Sequence, residues 1–311
     1  MLQEFAARLP RFAKAHIGRN FLRMLPGAAS SLMLHSHYYA HDARNDSYIL
    51  PEFPDGAPAP GSAFAVPPSH LWVNYGRTTE EHLETGRMDV ESMRAILARA
   101  DRPIERADRI LDFGCASGRL IRWLADLAPS REIWGVDIWA TAIHWCKEHL
   151  SPPFHFATTT VAPHLPFEDR YFDLVYAGSV FTHIEDLADA WFLELRRILR
   201  PGGSLYFTLN DRSAIEVFEG KHTPEEFETY CKRVAGQENW KAFVDGYLRG
   251  SPEYRAFRRG EAQMVTLHRS AASNVIWDVN FLHRRQQPFW QALSVNARAY
   301  GHQTGVLWAR V

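Results

Sequence analysis

From residue 88 onward the apolar positions of this chain follow two alternating periods. Short apolar runs, typical of strands buried on both faces, are separated by stretches whose apolar residues recur at helical spacing. Asp89 caps a predicted helix over 90–100, with Met93, Ile96 and Leu97 on one face. Strands are predicted at 109–113, 132–136, 154–157, 171–177 and 204–209. Helices at 119–127, 141–150 and 186–199 lie between them, the last stopped by Pro201-Gly202-Gly203. This alternation requires parallel pairing through crossovers, so the expected class is α/β with an open, doubly wound sheet. Strands at 276–282 and 304–311, with a helix near 288–293 between them, bring the sheet to seven. Their hairpin-like return makes the last strand antiparallel to its neighbours.

Two stretches break the rhythm. Residues 211–262 follow the fifth strand, and Thr223-Pro224-Glu225-Glu226 reads as an N-cap, first-turn proline and capping glutamate. This predicts a helical insertion on the side of the sheet where ligands bind, serving as a lid or as a structural cover. Residues 51–68 hold six prolines, Pro51, Pro54, Pro58, Pro60, Pro67 and Pro68, and read as an extended linker. The expected organisation is an N-terminal arm with linker (1–68) and a main domain (69–311). The main domain divides into a core at 105–210, the insertion at 211–262 and C-terminal strands at 270–311.

Charge narrows the partners. The net charge is -1, so nothing global favours nucleic acid, whose binders draw affinity from phosphate contacts. The arm is locally basic: Arg8, Arg11, Lys14, Arg19 and Arg23 stand against Glu4 alone, with Phe5, Leu9 and Phe12 on one helical face. A docked helix with a solvated basic face, a weak membrane-surface contact and an organellar transit segment all fit that pattern. Three cysteines, Cys115, Cys146 and Cys231, form neither a metal spacing nor a disulfide framework, and the chain lacks a long apolar span. A cytoplasmic setting is expected. His35, His37 and His41 cluster without a supporting acid or cysteine, so no metal site is assigned.

The candidate chemistry lies in the turn after the first strand, Asp112-Phe113-Gly114-Cys115-Ala116-Ser117-Gly118. Gly114 and Gly118 allow the backbone to bend close to a ligand. Asp112 can accept bonds from an ammonium group, and the amides near Ser117 suit a carboxylate. Asp137 ends the second strand, where a carboxylate takes both hydroxyls of a ribose. Ile138 and Trp139 follow it and can cover an adenine face.

These residues resemble class I S-adenosylmethionine-dependent methyltransferases, of the type 11/25-like domain. Asp112 to Gly118 is similar to their motif I, and Gly135-Val136-Asp137 to their acidic motif. The stretch from Leu165-Pro166-Phe167 to Val175 resembles the segment entering strand four, and 195–203 the helix-to-strand-five signature. The resemblance covers about 109–209 and implies a Rossmann-like fold with S-adenosyl-L-methionine as cofactor. It places Asp112, Gly114, Cys115, Ala116 and Gly118 at the methionine end, and Asp137 and Ile138 at the nucleoside. Ala177 and Gly178 fall near the sulfonium. Ala116 replaces the middle glycine of motif I. Thr158-Thr159-Thr160 lacks the acid that many members use for adenine, which leaves that contact to a threonine hydroxyl such as Thr158 or to a backbone carbonyl.

His183, after strand four, is the candidate general base, beside a simpler role in packing or capping the next helix. Tyr176 reads as core. Asn210 and Asp211 suit substrate contact or loop capping, and Cys115 suits a small buried hydrophobe better than a nucleophile. Tyr75 and Thr85-Gly86-Arg87 precede the core and, by analogy with related enzymes, fold over the cofactor. Strand four lacks the Asn/Asp-Pro-Pro-aromatic run of many nitrogen methyltransferases. The reading is methyl transfer to a small-molecule, sugar (glycan) or lipid-linked acceptor, at oxygen. The alternatives are a non-catalytic cofactor-binding module and, behind it, an NAD(P)-dependent oxidoreductase.

Overall fold

The chain's strands are β1 (Ala40–Asp42), β2 (Ser47–Ile49), β3 (Arg109–Phe113), β4 (Glu132–Asp137), β5 (His155–Thr158), β6 (Phe172–Ala177) and β7 (Leu199–Leu209). They continue with β8 (Met264–Leu267), β9 (Asn274–Trp277), β10 (Trp290–Tyr300) and β11 (Gln303–Arg310). Seven of them build one sheet in the order β10-β11-β7-β6-β3-β4-β5. β3 to β7 run parallel, and β11 is antiparallel to both β7 and β10. The expected Rossmann-like α/β sheet, mostly parallel with an antiparallel last strand, is therefore observed. This computed structural model describes residues 40–42, 47–49, 64–73, 75–219, 221, 223, 250–267 and 274–311. The side chains of the basic arm and of the histidine cluster, most of the proline linker and the Thr223-capped helix lie outside the described residues.

The described helices are α1 (Thr79–Arg99), α2 (Ala140–His149), α3 (Ala188–Ile198), α4 (Arg212–Phe218), α5 (Pro252–Arg258) and α6 (Val279–Gln286). On one face of the sheet, Val90, Met93, Ile96 and Leu97 of α1 pack with Ile143 and Cys146 of α2 and with Ile110 of β3. On the other, Trp191, Phe192 and Leu195 of α3 and Leu282 of α6 pack with Leu111 and Phe113. Alternate β3 side chains thus enter opposite cores, which is why the strand reads as one continuous apolar run. The chain order reverses between β3 and β6, which opens a switch point at the carboxyl ends of those strands.

Several elements differ from expectation for identifiable reasons. α1 begins eleven residues early. Thr78 caps it by accepting the Glu81 amide at 3.2 Å, and Glu81 reaches back to the Arg77 amide at 2.9 Å. Asp89 is therefore no cap but a buried mid-helix residue. The helix predicted at 119–127 is replaced by turns and a short 3-10 helix, Ile121–Leu124. There Arg119 and Arg122 turn inward to bond α1 and the carbonyls of Phe64 and Ala65, and these tertiary bonds override helix propensity.

Pro201-Gly202-Gly203 lies within β7 rather than before it. The helix ends at Ile198, Leu199 is already extended, and the register slips between Leu199 and Ser204. In the tail, the strand expected at 276–282 stops at Trp277, where Asp278 caps α6 through the Phe281 amide at 3.0 Å. The helix expected at 288–293 gives way to β10, an edge strand paired only with β11. Its two half-exposed faces disguise the strand alternation.

Candidate functional site

The turn after β3 is shaped by left-handed backbone at alternate positions, with φ of +83° at Gly114, +46° at Ala116 and +78° at Gly118. The Gly114 and Cys115 amides both donate to the Val136 carbonyl, at 2.8 and 3.1 Å, which seats the turn against the end of β4. Asp137 completes the fixation. Its Oδ2 accepts the Ala116 amide and its Oδ1 the Trp139 amide, each at 2.8 Å. A side chain at Gly114 would meet Val180 at 2.3 Å, and one at Gly178 would meet Leu120 at 2.9 Å and the Tyr300 hydroxyl at 3.1 Å. The ends of β3, β4 and β6 are thus brought within van der Waals reach of one another at the switch point.

Asp112 stands out electrostatically. It is 1% exposed, and neither carboxylate oxygen has a hydrogen-bond partner of normal geometry. Burial pushes its carboxyl up to about 8, with the Asp137 charge adding to the effect. The Tyr176 hydroxyl, the Arg119 charge and the Ile121 amide pull the other way. Cys115 and Cys146 are both buried, and burial raises their thiols well above the ordinary range, so they act as small apolar residues.

Sequence reasoning missed a buried cluster beside this turn. The Arg119 guanidinium donates to Asp89 Oδ2 at 2.7 Å and to the Tyr300 hydroxyl, and lies 4.1 Å from the centre of the Tyr75 ring. Burial opposes its charge, but Tyr300, Asp89 and Tyr75 outweigh that and hold its pKa above the usual range. Gly86 makes the close approach of α1 possible, since a side chain there would sit 2.7 Å from the Arg119 carbonyl. The Ser117 hydroxyl donates to the Leu71 carbonyl at 2.7 Å. His82 stacks on Trp72, and its Nδ1–H donates to the Tyr75 carbonyl at 2.7 Å. Burial depresses the His82 pKa to about 3, so the ring is neutral. The segment 69–89 therefore folds directly against the glycine turn. The available signal was an arginine placed immediately after Gly118.

The loop after β6 is fixed by a second polar network. Ser179, at φ +61°, donates its amide to Thr208 Oγ1 at 2.7 Å. Thr208 donates to Gln303 Oε1 at 2.6 Å, and Gln303 Nε2 returns a bond to Ser179 Oγ at 2.8 Å. β9 clamps this loop, with the Val275 amide bonded to the Thr182 carbonyl and the Trp277 indole to the Phe181 carbonyl. His183 is exposed on the same loop, and its amide donates to the Val180 carbonyl. Tyr176 is fully buried, and Asp211 caps α4. Ile138, Thr158 and Gly178 are half-buried, and Ala177 is buried. Among the described residues, no group of three or more His, Cys, Asp or Glu side chains is placed to hold a metal. None of the described helices is long and apolar enough to cross a membrane. A cavity of about 380 Å³ lined by Arg102, Arg106, Asp173 and Arg200 lies at the opposite ends of the strands.

Comparison with known proteins places this geometry. Residues 111–207 match the model of a family described as a methyltransferase domain. The chain is 29% identical to a malonyl-[acyl-carrier protein] O-methyltransferase of Enterobacter lignolyticus, over 43% of this chain and 51% of that one. It is 27% identical to a fatty-acid O-methyltransferase of Mycolicibacterium smegmatis, over 44% and 52%. A demethylmenaquinone methyltransferase of Chlorobaculum tepidum is 29% identical, over 48% and 60%. The chain thus spans about half the length of the first two relatives and somewhat more of the third. The matched residues run from β3 into β7, so the match takes in the glycine turn, Asp137 and the loop after β6.

Proposed function

We propose that this chain transfers a methyl group from S-adenosyl-L-methionine to a small-molecule, glycan or lipid-linked acceptor, at oxygen. The observation that carries the reading is a pair of carboxylates, Asp112 and Asp137, at the ends of adjacent strands with the glycine turn between them. The residues present fit the cofactor. Asp112 is an orphaned buried acid suited to the α-ammonium, and Asp137 ends β4, where a carboxylate takes ribose hydroxyls. Gly114, Cys115, Ala116 and Gly118 would line the methionine end, and Ile138 and Thr158 the adenine. Ala177 and Gly178 would face the methyl group.

The cofactor supplies an electrophilic methyl carbon on a sulfonium. The protein's part is alignment, which contributes about 7–11 kcal/mol in well-oriented reactions. The network at Ser179, Thr208 and Gln303 holds the loop that would present the acceptor. The loop 178–183 and α4 would line its pocket. The names of two relatives, O-methyltransferases of malonyl-[acyl-carrier protein] and of fatty acids, support oxygen as the acceptor atom. A carboxylate acceptor carries its own nucleophilic charge, which agrees with the exposed position of His183.

Calorimetry with S-adenosylhomocysteine tests the reading first: binding is expected, and none at millimolar ligand sinks it. Asp137→Asn should weaken that binding about 10- to 150-fold, the worth of a charge-assisted hydrogen bond. If His183 acts as a base on a neutral hydroxyl, His183→Ala lowers turnover by about 100-fold or more. An unchanged rate assigns an acceptor that is already ionised.

A further inference from the structure

The cavity of about 380 Å³ lies at the end of the sheet opposite the glycine turn, between the segment that follows α1 and the starts of β6 and β7. Arg102, Arg106 and Arg200 line it, against the carboxylates of Asp101 and Asp173. Both carboxylates are already bonded. Asp173 Oδ2 accepts the Asp108 and Arg109 amides at 2.7 and 2.8 Å, and its Oδ1 pairs with Arg200 Nε at 2.8 Å. Asp101 pairs with Arg106 Nη1 at 3.0 Å. The arginines are engaged on one side only. Arg102 uses Nη1, on the Gly202 carbonyl and on Ser204 Oγ, Arg106 uses Nη1 and Arg200 uses Nε. Among the described residues, their remaining guanidinium N–H groups bond no protein atom. Ile104 and Leu174, 1% and 2% exposed, add apolar lining.

Guanidiniums gathered around one concavity repel each other and focus a positive field into it. A carboxylate is taken up by a single fork through two parallel bonds. A phosphate monoester brings three strong acceptor oxygens and a charge of about -1.5 to -2, which matches three forks with open edges. The volume falls in the range of pockets that hold small organic ligands, about 300–1,000 Å³, so there is room for more than the phosphate itself. We propose that this cavity binds a soluble phosphate monoester, its phosphate held by Arg102, Arg106 and Arg200 and its organic part against Ile104 and Leu174. The site does not depend on the cofactor reading, since none of its residues belongs to the glycine turn or to the loop after β6. The ligand bridges Arg102 and Arg106, which follow α1, to Arg200 in β7, and so ties α1 to the sheet.

The test is calorimetry on the full chain in phosphate-free buffer, with glycerol 3-phosphate and with glycerol. The first should bind and the second should not. Arg106→Gln combined with Arg200→Gln should weaken binding by about tenfold or more, as expected for lost charge-assisted bonds. Arg259→Gln, which removes an exposed arginine paired with Glu261 elsewhere, should leave it unchanged. Glycerol 3-phosphate should also raise the melting midpoint of the wild type and not that of the double variant, which keeps the Arg102 bonds to β7. Vesicles of phosphatidylcholine with phosphatidic acid present the same headgroup on a lipid. Capture of the chain by those vesicles without binding of glycerol 3-phosphate assigns a membrane surface and overturns the proposal. It is likewise overturned if glycerol 3-phosphate fails to bind at millimolar concentration, if the double variant binds as the wild type does, or if Arg259→Gln loses as much affinity as the double variant.

Discussion

Ala116 adopts a left-handed φ of +46° between two glycines that do the same. A left-handed conformation costs an L-residue about 1–2 kcal/mol that glycine does not incur. Ala116→Gly should therefore be neutral to stabilising by up to about 1 kcal/mol, after the flexibility glycine adds to the unfolded chain is subtracted. Chemical denaturation measures it, and a loss of stability would mean that the methyl group packs better than the backbone is strained. At Asp112 the sign is set by protonation. Its folded value of about 8 lies above the ordinary carboxyl value of roughly 3.9. Between those values the native state binds more protons than the unfolded chain, so stability falls as pH rises through that window and levels off above it. Asp112→Asn removes the slope, about 1.4 kcal/mol per pH unit for one proton. Variant and parent should differ little near the acid end of the window, with the variant increasingly the more stable toward pH 8. Parallel pH–stability curves would overturn the assignment of a neutral Asp112.

Among the elements, α1 and the segment after the glycine turn are joined by a buried ion pair, Asp89 to Arg119, with side chains 0% and 6% exposed. Breaking such a pair from one side leaves a buried charge and costs about 3–5 kcal/mol, whereas replacing both partners by apolar residues is often neutral. Asp89→Leu should destabilise by that amount, and Asp89→Leu with Arg119→Met should recover most of it. Thermal denaturation of the singles and the double checks this; additive losses would show that the two residues act independently. The pair also shows where sequence patterning stops. The strands of the parallel core were legible because burial on both faces writes a continuous apolar run, as in β3 and β6. Asp89 looked like a cap because Gly86 interrupts the helical pattern. That glycine instead marks a close approach to the Arg119 carbonyl, a tertiary fact with no local signature. β10 was hidden for the related reason that an edge strand has no second neighbour to enforce alternation.

At the scale of the whole molecule, Asp112, Gly114, Gly118 and Asp137 were readable because the tight turn that links two adjacent strands constrains their spacing. The cluster that joins Tyr75, Asp89 and Tyr300 was not, Tyr75 having entered only by analogy, because the N-terminal segment and β10 are far apart in sequence and converge on Arg119. That convergence has a dynamic consequence. A ligand that binds only the folded state stabilises it by RT ln(1 + [L]/Kd), about 2.7 kcal/mol at a hundredfold excess over Kd. Local openings are suppressed wherever the bound site and the opening segment share contacts. Ser117 is bonded to Leu71 and Arg119 to α1 and Tyr300, and the Ser92 hydroxyl donates to the Ala299 carbonyl at 2.8 Å. Saturating S-adenosylhomocysteine should therefore slow amide exchange in the turn at 112–118 and in the loop 137–139. It should also slow exchange across 69–89 and around 299–304, two segments without a motif of their own. Protection confined to the turn and to Asp137 would show that the N- and C-terminal segments merely pack nearby; protection in all four places would make them part of one binding unit.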